Sequence, residues 1–162
     1  MLKISLATVA LFLVAIASVF IFLASSDRPL FALGGSAPSN LGIKDGRLAP
    51  CLTTPNCVSS QAINDPQHFI APIEYKCSSP EAYDRVKQFL ESQKLTKITN
   101  QTENYIYAQA TSRLMGFVDD VEFYFNPETK VIEVRSASRV GESDLGVNRK
   151  RIEQIRSDIL RA

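Results

Sequence analysis

The chain has 162 residues, 45% of them hydrophobic and 22% charged, which suits one globular domain and is short for two. Its 18 Lys and Arg stand against 17 Asp and Glu for a formal net charge of +1, so the basic surface of a nucleic-acid binder is missing and no nucleic-acid partner is expected. Seven Gly and eight Pro exclude collagen-like and low-complexity classes.

The first element is an uncharged run from Ile4 to Ser26, set between Lys3 and the Asp27-Arg28 pair and built mostly of Leu, Ile, Val, Phe and Ala. A helix of about 20 residues crosses a hydrocarbon core of about 30 Å, whereas the apolar stretch of a secretory signal is about 7 to 15 residues, so residues 1–26 read as a transmembrane anchor. Ala24 and Ser26 stand two apart, as small residues do at a cleavage site, which keeps a removable signal segment open. With Lys3 ahead of the run, the expected arrangement is a single-pass membrane protein whose C-terminal domain lies on the non-cytosolic side, or a secreted domain if the leader is cut. Without residues 1–26 the remainder holds 17 basic and 17 acidic residues and is formally neutral.

Residues 27–40, with Pro29, Gly34, Gly35, Ser36, Pro38 and Ser39, read as a linker, a free tether to a domain spanning 41–162. From Leu41 to Pro66 the Gly, Pro, Asn and Ser content forbids a long helix or a central strand, and a loop region is expected. Phe69–Tyr75 is short and apolar with Pro72 inside it, which fits an edge strand or extended segment. A helix is expected over 80–93: Ser78 or Ser79 can cap it, Pro80 fits its first turn, and Ala82, Tyr83, Val86, Phe89 and Leu90 recur at helical spacing.

The period then changes to two. Leu95–Thr99 and Asn104–Thr111 read as strands with the turn at Asn100-Gln101. Val118–Phe125 sets Val121, Phe123 and Phe125 on one face and Asp120, Glu122 and Tyr124 on the other. After the turn residues Asn126–Thr129, Val131–Ala137 returns with Ile132 and Val134 against Glu133 and Arg135, an antiparallel hairpin with one dry and one wet face. Asn148–Arg161 carries Ile152, Ile155 and Ile159 as an apolar stripe on a charged helix. The expected fold is α+β, in the order β-α-β-β-β-β-α, with a single antiparallel sheet and two helices packed on one face.

Two blocks carry a family resemblance. LGIKDGRLAPCLTTPNCVSSQA (Leu41–Ala62), continued by His68, Ile70 and Pro72, and VEFYFNPETKVIEVRSASRVGESDLGVNRKRIEQIR (Val121–Arg156) resemble domain-of-unknown-function family 1499 (DUF1499). The resemblance covers residues 41–161 and implies a small bacterial or plant-type protein that often carries a membrane or export segment. It implies no activity.

Cys51 and Cys57 are spaced for a disulfide across a short loop in an oxidising compartment. A redox pair is the alternative, as is a Cys3His zinc set with Cys77 and His68, although C-x5-C is wider than the usual zinc spacing. His68 is the only histidine, so it is either the sole imidazole for acid–base work or a loop-binding residue. Asp119, Asp120 and Glu122 read as a solvated acidic cluster. Charge is unevenly spread: residues 81–133 hold 6 basic and 9 acidic groups, residues 135–162 hold 7 basic and 4 acidic.

The richest block is Arg135-Ser136-Ala137-Ser138-Arg139, leading to Arg149-Lys150-Arg151 beside a helix start, where arginine forks and hydroxyls can grip a carboxylate or phosphate. Arg135, Ser136, Ser138, Arg139 and Arg149 are the candidate binding residues. The competing arrangement pairs Arg135 and Arg139 with neighbouring acids and caps the last helix with Asp144 or Asn148. P-loop, dinucleotide, GxSxG and HExxH motifs are lacking, and no catalytic set, metal or cofactor is expected. The expected function is a non-catalytic, membrane-tethered or exported domain that binds a protein partner, an anionic ligand or lipid head groups. The alternative is a thiol-dependent oxidoreductase or hydrolase using Cys51 or Cys57 with His68.

Overall fold

In the computed structural model, which describes residues 5–25 and 28–161 without the side chains of residues 6, 20, 22–25 and 161, the elements follow the change of period in the sequence. Helix α1 (Leu6–Ser25) is followed by two short strands, β1 (Cys57–Ser59) and β2 (Ile73–Glu74), and by helix α2 (Ser79–Ser92). Strands β3 (Thr96–Thr102), β4 (Tyr105–Thr111), β5 (Val118–Asn126) and β6 (Val131–Ser138) run up and down before helix α3 (Val147–Arg161). Among the described residues no helix is long and apolar enough to cross a membrane, so the span expected over 1–26 is not shown; residues 1–4 and 26 of it lie outside the described residues.

The six strands form one antiparallel sheet in the order β1-β6-β5-β4-β3, with β2 also pairing to β6. The α+β class and the hairpin of β5 and β6 are as expected, with Glu122 opposite Arg135 and Phe123 opposite Val134. Val121, Phe123, Ile132 and Val134 on one face meet Ala82, Val86 and Leu90 of α2 and Ile152, Ile155 and Ile159 of α3, all buried. Both helices start where their chemistry says. The Ser78 hydroxyl accepts from the Glu81 N–H ahead of α2, and an Asp144 carboxylate oxygen accepts from the Asn148 N–H at 2.8 Å ahead of α3.

Four expectations need correction. Cys57–Ser59 is not loop but strand β1, which hydrogen-bonds along the free edge of β6 opposite Arg135–Ala137; three residues at an edge are too few to show a period. The turn expected at Asn100-Gln101 lies at Glu103-Asn104, because a bulge between Ile98 and Asn100 lets the polar, exposed end of β3 continue as an edge strand. The acidic cluster is not solvated: Asp119, Asp120 and Glu122 are all buried. Residues 30–33 are not a free tether either, since the Leu30, Phe31 and Leu33 N–H groups donate to the Arg113, Leu114 and Met115 carbonyls, each at 3.1 Å.

Gly116 makes that last contact possible. A Cβ there would lie 1.9 Å from the Phe31 carbonyl oxygen, and its φ of +67° is a left-handed conformation that side chains disfavour. From this anchor point the chain crosses the sheet face opposite the helices, where Leu48, with Leu41 and Ile43, packs on Tyr105, Tyr107 and Tyr124. The strands β4, β5 and β6 are therefore covered on both sides, by helices on one and by irregular chain on the other, while edge strand β3 stays largely exposed.

Candidate functional site

The irregularly covered face holds the charges. Tyr105, Tyr107, Asp120, Glu122 and Arg135 alternate with core residues along β4, β5 and β6, so the strand period places them together, and Arg139 follows directly after β6. The Glu122 carboxylate is enclosed completely and accepts three hydrogen bonds: Oε1 from the Tyr105 hydroxyl at 2.7 Å and the Gly42 N–H at 2.8 Å, and Oε2 from Arg135 Nη1 at 2.9 Å. Beside it, Asp120 receives Arg139 Nε at 3.0 Å and Nη2 at 2.7 Å in a two-pronged grip, and the Tyr107 hydroxyl at 2.6 Å. Arg139 Nη2 also donates to the Tyr107 oxygen at 3.1 Å.

Burial, then the neighbouring Glu122 charge and its hydrogen bond, push the Tyr105 phenol far above the usual tyrosine range. Burial and the hydrogen bond to Asp120 raise Tyr107 in the same way. The hydrogen bond to Asp120 raises Arg139 further still. Both tyrosines are thus held as neutral donors and Arg139 as a fixed cation, an arrangement suited to holding charge in place.

Arg135 differs from Arg139. Its side chain is 6% exposed and makes one ion pair through Nη1, and its Nε–H is buried with no hydrogen-bond partner among the described residues. The Nε and Nη2 side of a guanidinium is the edge that grips a carboxylate or phosphate with two parallel bonds. Arg135 also lines a cavity of about 140 Å³ together with Leu52, Asn56, Asp120, Ser138 and Arg139 and with Ser36, Pro38 and Asn40 of the crossing segment.

The five candidate binding residues separate into three places. Arg135 and Arg139 lie on the charged face. Ser136 and Ser138 point to the helix side, where they join Asn148, Asp119 and Arg151: Ser136 donates to Asn148 Oδ1, Ser138 to Asp119, and Arg151 to Asp119, Asn148 and Ser136. Asn148 Nδ2 closes this knot on the Asn56 carbonyl at 3.0 Å, which fastens the start of α3 to the residue before β1. Arg149 sits apart on α3 and donates to the Gln67 carbonyl at 3.2 Å. Ser138 alone bridges two of the places, since it borders the Arg135 cavity as well.

Cys51 and Cys57 are joined in a disulfide with Cα atoms 5.7 Å apart, and Cys77 is free and packs against the core. With those two sulfurs bonded to each other, the Cys3His zinc arrangement is not formed. Among the described residues no group of three or more His, Cys, Asp or Glu side chains is placed to hold a metal ion. His68, buried, lies between the Asp65 carboxylate at 2.6 Å from Nδ1 and the Thr54 carbonyl at 3.1 Å from Nε2. Burial works against its charge, but the hydrogen bond to Asp65, the Thr54 carbonyl and the Asp65 charge outweigh it and raise the His68 pKa. Both partners are acceptors, so the imidazolium, with two N–H donors, satisfies both. His68 thereby ties the disulfide loop, through Thr54, to the turn at Asp65.

Sequence reasoning passed over the tyrosines and read the acids as solvated. Three tyrosines on the supposedly wet face (Tyr105, Tyr107, Tyr124) were the available signal, because that much aromatic surface is uncommon on an open sheet.

The fold and the charged face together define an α+β domain whose strands β4–β6 are enclosed on both sides, with internal acid–arginine–tyrosine sets. The family described as "Protein of unknown function (DUF1499)" matches residues 47–159, and the chain belongs to that family. No curated protein and no solved structure matches the chain.

Proposed function

We propose that this chain is a non-catalytic, membrane-tethered exported domain that binds a small anionic group, a carboxylate or phosphate, at Arg135. The observation that carries the reading is the buried Nε–H of Arg135, without a partner among the described residues, on a side chain that borders a small cavity. An unmatched buried donor costs about 1–3 kcal/mol, and an anion oxygen in the cavity would recover that as charge-assisted hydrogen bonds. Asp120 is neutralised by Arg139 and Glu122 by Arg135, so local charge does not repel the ligand. A volume of about 140 Å³ suits a single head group, free or at the end of a larger molecule.

The export half of the reading is supported by the uncharged run behind Lys3, by the large apolar side chains that α1 leaves exposed, such as Leu11, Phe12 and Val14, and by the disulfide, which belongs to oxidising compartments. The thiol-enzyme alternative has less to support it, since the Cys51 and Cys57 sulfurs are bonded and both His68 nitrogens face acceptors.

Calorimetric titration of the full chain with inorganic phosphate, acetate and vesicles containing phosphatidic acid tests the site, against an Arg135→Lys variant that keeps the charge facing Glu122 but lacks the fork. Saturable binding that the variant loses, with an unchanged unfolding midpoint, supports the site. Equal titration curves for both proteins would remove it. Response to vesicles but not to free phosphate would identify the lipid head group as the source of the anion.

A further inference from the structure

The strongest remaining feature is an exposed apolar patch. Leu30, Phe31 and Leu33 of the crossing segment and Leu114 and Phe117 of the β4–β5 loop are each between 39% and 59% exposed. They are neighbours because the segment lies along residues 113–115 through the three backbone hydrogen bonds described above. Gly116, against the Phe31 carbonyl, allows backbone to approach backbone there, and Gly34, whose Cβ would lie 2.8 Å from Val118 Cγ2, lets the Val118 side chain close on the segment. Five large apolar side chains held on a hydrogen-bonded scaffold form a surface that water alone does not explain.

The chain itself says what covers it. Helix α1 ends at Ser25, and Leu30 is five residues on, no more than about 17 Å of extended chain. Exposed Arg28 and Arg113 flank the apolar residues in sequence, the pattern of cationic and aromatic side chains at a bilayer boundary. We infer that the patch of Leu30, Phe31, Leu33, Leu114 and Phe117 seats in the head-group and acyl boundary of the bilayer, so that the β4–β5 end of the sheet faces the membrane.

This rests on the anchor reading of residues 4–26. The surface adds a second attachment that fixes the orientation of the domain. Asp119, Asp120, Ser138 and Arg139 lie at that same end of β5 and β6, which brings the Arg135 cavity close to the lipid head groups.

The absence of Trp from the sequence makes the test direct. The full chain is reconstituted into phosphatidylcholine vesicles with and without brominated acyl chains, as single-Trp variants. Phe31→Trp and Phe117→Trp report the patch, with Leu114→Trp in reserve should either fold poorly. Phe12→Trp reports the anchor. Glu128→Trp, on the β5–β6 turn at the far end of nine-residue β5, lies roughly 27 Å away along the strand.

The inference predicts blue-shifted emission and strong bromine quenching at 31 and 117 and none at 128. Quenching at 12 with none at 31 or 117 would overturn the patch and leave the anchor standing. Quenching at 31 and 117 without quenching at 12 would sustain the patch and defeat the anchor. Blue-shifted emission at 31 and 117 that bromine fails to quench would mean that protein, such as a second copy, covers the surface, and would overturn the inference. Emission at all sites that is solvent-like and unquenched defeats both.

Discussion

The two faces of strands β4–β6 are both buried but are held by different physics. On the helix side Val121, Phe123, Ile132 and Val134 meet the stripes of α2 and α3, and apolar area removed from water provides the stability. On the other side Glu122 and Asp120 are just as enclosed, but their burial is tolerated only because arginines and tyrosines take up their lone pairs. The lesson is that alternation along a strand reports which residues share a face, and does not report whether the polar face is wet. Charges that match each other across strands can be enclosed by chain that has no secondary structure.

Substitutions on each face test whether they are as alike in burial as the structure has them. Phe123→Ala should cost about 3–5 kcal/mol in denaturant unfolding, through lost transfer energy and a cavity. Glu122→Gln should cost a similar 3–5 kcal/mol by leaving Arg135 enclosed without its counter-charge, and the double variant Glu122→Gln/Arg135→Met should recover much of that. A cost for Glu122→Gln below about 1 kcal/mol, the level of a surface pair, would show the second face to be open to water.

The cover of the charged face comes next. Gly116→Ala should cost about 1–3 kcal/mol, from a strained left-handed backbone and displacement of the crossing segment. Hydrogen exchange should show the Leu30, Phe31 and Leu33 amides losing protection together, while the α2 and α3 amides keep theirs. Reducing the disulfide that staples the loop beside the cavity should lower stability by about 2 kcal/mol, by loop-closure entropy, seen as a shift of the urea midpoint.

The smallest effect is a pH dependence. His68 has a raised pKa in the folded protein, so its contribution is complete below the ordinary value of 6.5 and is lost as pH rises through the folded value. Asp65, held low by its hydrogen bond to His68, contributes above 3.8 and loses that contribution as pH falls through its folded value. The unfolding midpoint should fall as pH rises above 6.5, and His68→Gln should flatten that slope without affecting the charged face.

Much of this architecture was legible. The stripe of Ile152, Ile155 and Ile159 and the spacing of Ala82, Val86 and Leu90 located both domain helices to within a residue or so, because one buried face per helix leaves a strong periodic trace. The β5–β6 hairpin was legible for the same reason, since neighbouring residues carry it, whereas the spacing of Cys51 and Cys57 left the disulfide as one of several arrangements and the register opposite Arg135 open. Strand β1, the anchored segment at Leu30–Leu33 and the enclosure of Asp120 and Glu122 depend on contacts between residues distant in sequence. Gly116 meeting Phe31 leaves no periodic signal in either stretch. The site was half visible: Arg135 and Arg139 were singled out, but only the structure separates the satisfied arginine from the one with a donor to spare.

Arginine-edited NMR of the uniformly nitrogen-15-labelled full chain tests the central claim most directly. The account predicts that the Arg135 Nε–H exchanges slowly with water, as an enclosed donor must, and moves in a saturable way on titration with inorganic phosphate while the Arg139 signal stays in place. A fast-exchanging Arg135 Nε–H, or one indifferent to the anion, would contradict both the buried charged face and the site built on it.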